Sequence, residues 1–166
     1  MALASTIVWE VRTSATASNA NGGGFKTGAS GTDYSQQDAA QYNLTSVTTA
    51  AADAILLHAS AAAVMVGNIA HITSGTNFTI GWYEIISVVV GVSITLDRNC
   101  TTAAGAAGVV NIGGAISLET SGTQGDDDFF EAGVAGNTYH IKSGTYTLGE
   151  GVNISVAVGT AASPIK

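Results

Sequence analysis

The feature that most constrains this chain is the density of β-type runs between Asn68 and Gly114. Asn68–Thr73 alternates apolar and polar residues before Ser74-Gly75-Thr76-Asn77 breaks the pattern. Phe78–Val90 is rich in β-branched and aromatic side chains, Gly91 interrupts it, and Val92–Asp97 follows. Val109–Ile112 closes the set after a Gly/Ala-rich stretch read as a loop. Period-two alternation and β-branched enrichment specify strands, and the short spacings between runs favour antiparallel neighbours. The stretch predicts a small antiparallel meander that curls into a barrel or sandwich.

Composition narrows what surrounds that meander. Charged residues make up 10% of the 166-residue chain and hydrophobic ones 46%, with 21 glycines. This is too apolar for a disordered chain and suits a β-rich protein whose surface carries small polar residues or other subunits. The net charge of −7 and five scattered basic residues (Arg12, Lys26, Arg98, Lys142, Lys166) argue against wrapping nucleic acid, which requires phosphate neutralisation. Cys100 is the sole cysteine, so no intrachain disulfide and no cysteine-based metal site is expected. No apolar run reaches the ~18–20 residues of a membrane span. MALASTIVWEVR does not read as a secretory signal, so assembly in a cytoplasm is expected. The four N-x-[ST] triplets beginning at Asn43, Asn77, Asn99 and Asn153 then carry no weight.

Along the chain, Ser5–Thr13 predicts a first strand with Ile7, Trp9 and Val11 on one face. Residues 14–35 are dominated by Ser, Ala, Asn, Gly and Thr and read as a long loop, of the kind that is functional or wrapped against a neighbour. Gly22–Gly24 lacks the Gly-Lys-[ST] ending of a phosphate cradle. Asp38–Leu44 is expected to form a short helical turn, Val47 and Ala54–Leu57 a strand pair, and Ser60–Met65 a short helix with Ser60 as N-cap. Asp126-Asp127-Asp128 ahead of Phe129 and Phe130 predicts another helix start, where carboxylates meet the positive end of the dipole. Residues 137–166 hold three short β runs separated by turns.

The segment Thr138-Tyr139-His140-Ile141-Lys142-Ser143-Gly144-Thr145-Tyr146 resembles the strand, Gly-turn, strand opening of right-handed parallel β-helix proteins of the pectate-lyase-like class. Ile154–Ile165, ISVAVGTAASPI, resembles the phrase of the following coil. With WEVRT, ANGGGF and GTDYSQQDAAQY, nearly the whole chain is similar to the N-terminal region of virion structural proteins of tailed bacteriophages. The resemblance implies a capsid-decorating or head or tail appendage protein, symmetric homo-oligomers with a trimer foremost, other virion proteins such as the capsid as partners, and no cofactor. It also implies residence in the virion after assembly in the host cytoplasm. A single coil cannot bury its own inner face, so either the polypeptide is longer or another subunit completes the coil.

Catalytic chemistry finds little support in these residues. A glycan depolymerase needs paired carboxylates across a groove or a Ca²⁺ site with a base, and the only acidic residue in Tyr139–Lys166 is Glu150. Asp126–Asp128 are adjacent rather than alternate, unlike a Ca²⁺ loop. His58, His71 and His140 lack the spacing of a zinc face. Asp97 and Arg98, as strand neighbours, are expected to face apart and find separate partners. Trp82 and Tyr83 alternate faces, so one ring is expected to leave the core.

The resulting expectation is an all-β protein with one or two short helices. An antiparallel barrel or sandwich over residues 1–117 leads through a linker and helix (118–136) to a β-helix-like coil (137–166). The expected function is non-enzymatic assembly, with no catalytic, cofactor-binding or metal residue, no nucleic acid and no membrane. The interface anchors are Trp9, Phe25, Tyr34, Trp82, Tyr83, Ile154, Pro164 and Ile165. The alternatives are the head-binding part of a tailspike-like polysaccharide depolymerase, or a glycan-binding module.

Overall fold

The computed structural model describes residues 3–13, 15–117 and 133–143. These residues are all-β, with one short 3-10 turn. The strands are β1 (Ile7–Arg12), β2 (Gly24–Lys26), β3 (Tyr42–Val47), β4 (Ile55–Leu57), β5 (Ile69–Phe78), β6 (Gly81–Val89), β7 (Ser93–Leu96), β8 (Thr101–Ile112), β9 (Ile116–Ser117) and β10 (Thr138–Ile141).

Six of these strands form one antiparallel sheet in the order β3-β8-β5-β6-β7-β4. Its two outer strands meet where Leu57 N donates to Thr48 O at 2.8 Å, so the sheet curls into a nearly closed barrel. The interior is apolar because alternate residues of every strand point inward: Leu44, Val47, Leu56, Ile72, Tyr83, Ile85, Ile94, Leu96, Val110 and Ile112 share one buried cluster with Met65 and Cys100. Closure removes most of the open edge that would otherwise template pairing with another chain.

The remaining strands form a smaller sheet around β1. Antiparallel β2 pairs with Ile7–Trp9, parallel β9 with Val11 and Arg12, and parallel β10 with Val8–Val11. Ile7, Trp9 and Val11 form its buried face with Leu3, Ile69 and Ile116, as the alternation in Ser5–Thr13 predicts. Two links join this sheet to the barrel. Phe25 bridges Asn68, and Gly22 and Gly23 donate to the Gly113 and Gly114 carbonyls at 3.0 and 2.9 Å. Gly22 permits this approach, since a Cβ there would collide with the Ile69 carbonyl.

Several sequence expectations change. The loop expected over residues 14–35 contains β2, because its glycines let the backbone press between the two sheets; residues 21–24 are buried. The helical turn expected at Asp38–Leu44 is a bend followed by β3, whose Leu44 is drawn into the barrel. The helix expected at Ser60–Met65 is the single 3-10 turn Ala63–Met65; Ala62 occupies the cap without a side-chain bond, and Ser60 N donates to His58 Nδ1 instead. The break expected at Ser74–Asn77 is strand with bulges, and the Gly/Ala-rich stretch after Cys100 is the first half of β8. The Phe78 ring explains the small residues: a Cβ at Gly105 or Gly108 would lie 2.7 or 2.8 Å from it. β10 lies where a strand is expected. The helix expected at Asp126–Asp128, the later runs of the coil, and Ile154, Pro164 and Ile165 lie outside the described residues.

Candidate functional site

Three features of the described surface bear on function. The first is a polar row on the outer side of the barrel. Trp82 and Asn111 lie opposite His71 on the two neighbouring strands, and the His71 and Trp82 rings stack at 4.1 Å with a 15° interplanar angle. Residues 19–21 cross this row. Asn111 Nδ2 donates to Ala20 O at 2.7 Å and Trp82 Nε1 to Asn21 O at 3.3 Å. Burial lowers the His71 pKa to about 4, so the imidazole is neutral at pH 7, and its buried Nδ1 has no hydrogen-bond partner. An imidazole in this state packs against the indole that holds the loop and is not poised as a base at neutral pH.

Linkage gives the row a pH dependence. The folded pKa of His71 lies below the ordinary histidine value of 6.5, so below pH 6.5 the unfolded chain binds the proton more readily. Its contribution is present above about pH 6.5 and is lost as pH falls towards 4, by about 3 kcal/mol at most. We expect wild type to lose more stability than His71→Gln between pH 7 and 4 in urea titrations; parallel losses would show that burial does not control this imidazole.

The second feature is a pocket of about 190 Å3 beside the β2–β6 junction, walled by Thr27, Gly28, Val66 and Ile86. Within it Lys26 Nζ meets a Glu84 oxygen at 2.8 Å, and the Glu84 carboxylate is almost fully buried. The neighbouring carboxylate, Asp97, accepts from Glu84 N at 2.9 Å and from Arg98 at 2.6 Å. Asp97 and Arg98 therefore pair with each other, contrary to the expectation of separate partners. β7 ends at Leu96, so strand alternation no longer separates them. Arg98 also covers the Tyr83 ring at 4.2 Å. Each acid thus has a cation beside it, an arrangement suited to anchoring turns rather than to a two-carboxylate hydrolysis. Among the described residues no group of three or more His, Cys, Asp or Glu side chains is placed to hold a metal.

The aromatic residues singled out from sequence distribute through the fold. Trp9 is fully buried, stacks on Tyr139 at 6.2 Å, and donates to Asn137 Oδ1 at 3.1 Å. Phe25 lies over Gly67 at the junction of the sheets. Tyr34 meets Tyr42 edge-on at 5.8 Å. Tyr83 is 2% exposed inside the barrel, with its hydroxyl donating to Thr79 O at 2.9 Å. Trp82 points to the other side and packs between His71 and the cluster of the smaller sheet.

Comparison with protein-family models, curated proteins and solved structures returns no match.

The third feature escaped the sequence reading. Ile55, Leu57, Ile86, Val89, Val90 and Val92 are all exposed, with Val89, Val90 and Val92 at 59, 66 and 55%. They lie on β4, β6 and the β6–β7 hairpin. In register, Val89, Ser93 and Leu57 form one cross-strand row and Ser87, Thr95 and Ile55 the next, while Val88, Ile94 and Leu56 face the core. The signal was present in Val88-Val89-Val90-Gly91-Val92: tight turns favour Gly, Asn, Asp and Ser, and here valines flank the glycine. Contiguous exposed apolar surface of this kind marks a contact site.

Proposed function

We propose that this chain is a non-enzymatic structural subunit of a tailed-bacteriophage virion, a capsid-decoration or appendage protein that works by assembling with copies of itself and with other virion proteins such as the capsid. The observation that carries the assembly part is the exposed apolar face over β4, β6 and β7, which gains free energy when covered. The virion part rests on the resemblance of nearly the whole chain, WEVRT, ANGGGF and GTDYSQQDAAQY included, to the N-terminal region of tailed-phage virion proteins, while Thr138–Tyr146 and Ile154–Ile165 resemble coils of pectate-lyase-like β-helices. In this reading β10, parallel to β1, opens a right-handed coil completed by further chain or by another subunit, and a trimer is the leading symmetry. Assembly takes place in the host cytoplasm and the product resides in the particle.

The carboxylate pairing supports this reading over a depolymerase, because Glu84 and Asp97 are already held by Lys26 and Arg98. A glycan platform receives little support from Tyr83, which is enclosed in the barrel, or from Trp82, which is stacked on His71. The net charge of −7 supports protein partners over nucleic acid. Among the described residues no helix is long and apolar enough to cross a membrane.

Density-gradient fractionation of a lysate from cells producing the phage tests the proposal. Peptides of this chain should band with DNA-filled particles in fixed stoichiometry to the capsid protein. A chain found only in the soluble fraction at the top of the gradient overturns it.

A further inference from the structure

We infer that the outer face of β4, β7 and β6 is a two-fold contact with a second copy of this chain. The inference deepens the assembly reading and rests on it.

The relief of the face comes from its register. Ile55 and Leu57 on β4 form one apolar ridge, Val89 with the Val90 and Val92 tip forms another, and Ser93 and Thr95 on β7 lie between them. Ser93 is 8% exposed while its row neighbours Leu57 and Val89 are 39% and 59% exposed, so the middle strand is a valley. Such a surface is complementary to itself. A two-fold axis parallel to the strands, between β4 and β7, sets the Ile55–Leu57 ridge of one copy into the Ser93–Thr95 valley of the other, which is the isologous geometry of a closed pair. Facing sheets then interdigitate at the roughly 10 Å spacing of packed sheets.

Charge selects the same occupant. Ala54–Leu57 and Ile85–Leu96 contain no ionisable residue. The acids that flank them in sequence, Asp53, Glu84 and Asp97, gather at the Ile55 end, away from the valine tip. Two of these are neutralised in place by Lys26 and Arg98. With 12 acidic and five basic residues in the chain, two copies repel one another over most approaches. This face lets them meet without desolvating unpaired charge. A basic partner would find nothing here to pair with.

Molar mass by light scattering, read across a concentration series, tests the inference on the full chain. Wild type should associate to an even multiple of the chain mass, a dimer through this face alone or a hexamer where the face pairs two trimers. Leu57→Asp, which buries an unpaired carboxylate in the valley, should weaken association about tenfold or more. Val92→Lys should weaken it too; this tip position is so exposed that the fold survives the change, and it decides the matter if Leu57→Asp does not fold. Separately purified Ile55→Cys and Thr95→Cys chains, once mixed, should be joined into a pair by a short bismaleimide, whose reach suits side chains on sheets about 10 Å apart. Cys100 stays out of that reaction because burial pushes its thiol up to about 11. A wild-type oligomer unmoved by both charge substitutions, or one of odd multiplicity, overturns this surface while leaving the assembly reading standing. A wild-type chain that remains monomeric overturns both.

Discussion

Replacing Trp9 with alanine is expected to cost about 3–5 kcal/mol, the range for emptying a fully buried tryptophan site. The indole is 0% exposed and stacks on Tyr139. Its Nε1 also donates to Asn137 Oδ1, and Asn137 Nδ2 donates in turn to Ala4 O at 2.8 Å. One side chain thus holds residues 137–139 against the first strand, across 128 positions of sequence. The loss should appear as a fall in melting temperature of roughly 10 °C or more, with proteolytic release of the β10 segment ahead of the barrel. Trp9→Phe keeps most of the packing and forfeits the hydrogen bond, so it should cost only about 1–2 kcal/mol. A Trp9→Ala chain within about 1 kcal/mol of wild type would mean that the smaller sheet is held by something other than this ring.

The second large effect is expected at Asn68. This residue is 0% exposed, and its side chain ties residues 32–34 to the turn at residues 65–68. Its Oδ1 accepts from Tyr34 N at 3.0 Å, while Nδ2 donates to Thr32 O at 2.8 Å and Met65 O at 3.2 Å. Leucine at this position fills similar space but leaves the part-buried amide of Tyr34 and the Thr32 carbonyl without this partner, while Met65 O keeps the Asn68 backbone amide at 3.1 Å. At about 1–3 kcal/mol for a buried group left unsatisfied, and less where water reaches it, Asn68→Leu should destabilise by about 2 kcal/mol in urea unfolding, against no gain in apolar contact large enough to offset it. Stability within about 0.5 kcal/mol of wild type would show that water reaches these groups.

Much of the β architecture was legible in the residues because strand formation is encoded locally. Ile7, Trp9 and Val11 alternate with Val8, Glu10 and Arg12, and period-two alternation selects a buried face whatever the partner strand. The first half of β5 and the runs of β6 and β7 were legible for the same reason, whereas Ser74–Phe78, expected as a break and the start of the next run, is the second half of β5. The first half of β8 was not legible either. Thr101–Gly108 has the composition of a loop, and it becomes strand because Gly105 and Gly108 lie where only small residues fit beside Phe78. The isolated propensity of a Gly/Ala stretch carries no trace of that ring. The helix expected at Ser60–Met65 failed in the reverse direction. A cap residue and alanines favour a helix locally, but Gly91 N donates to Ala61 O at 2.8 Å and Asn68 Nδ2 to Met65 O, fixing the segment in a shorter turn.

The candidate contact face divides along the same line. Its ingredients, valines at a turn and a charge-free run from Ile85 to Leu96, stood in the sequence. Their meaning did not, since any single strand there reads as core. Only the register of β4 on β7 and β7 on β6 decides that Leu56, Ile94 and Val88 fill the barrel while Leu57 and Val89 stand outside it.

By itself, then, the sequence determined an all-β chain, the inward face of its first strand and the meander at its centre, because alternation, β-branching and turn residues act over a few neighbours. Tertiary structure alone decided that β1 meets β10, which small residues make room for Phe78, and which of two equally apolar faces is left in water. Those outcomes depend on strands paired across tens of residues, where a shift of one position exchanges every inward side chain for an outward one.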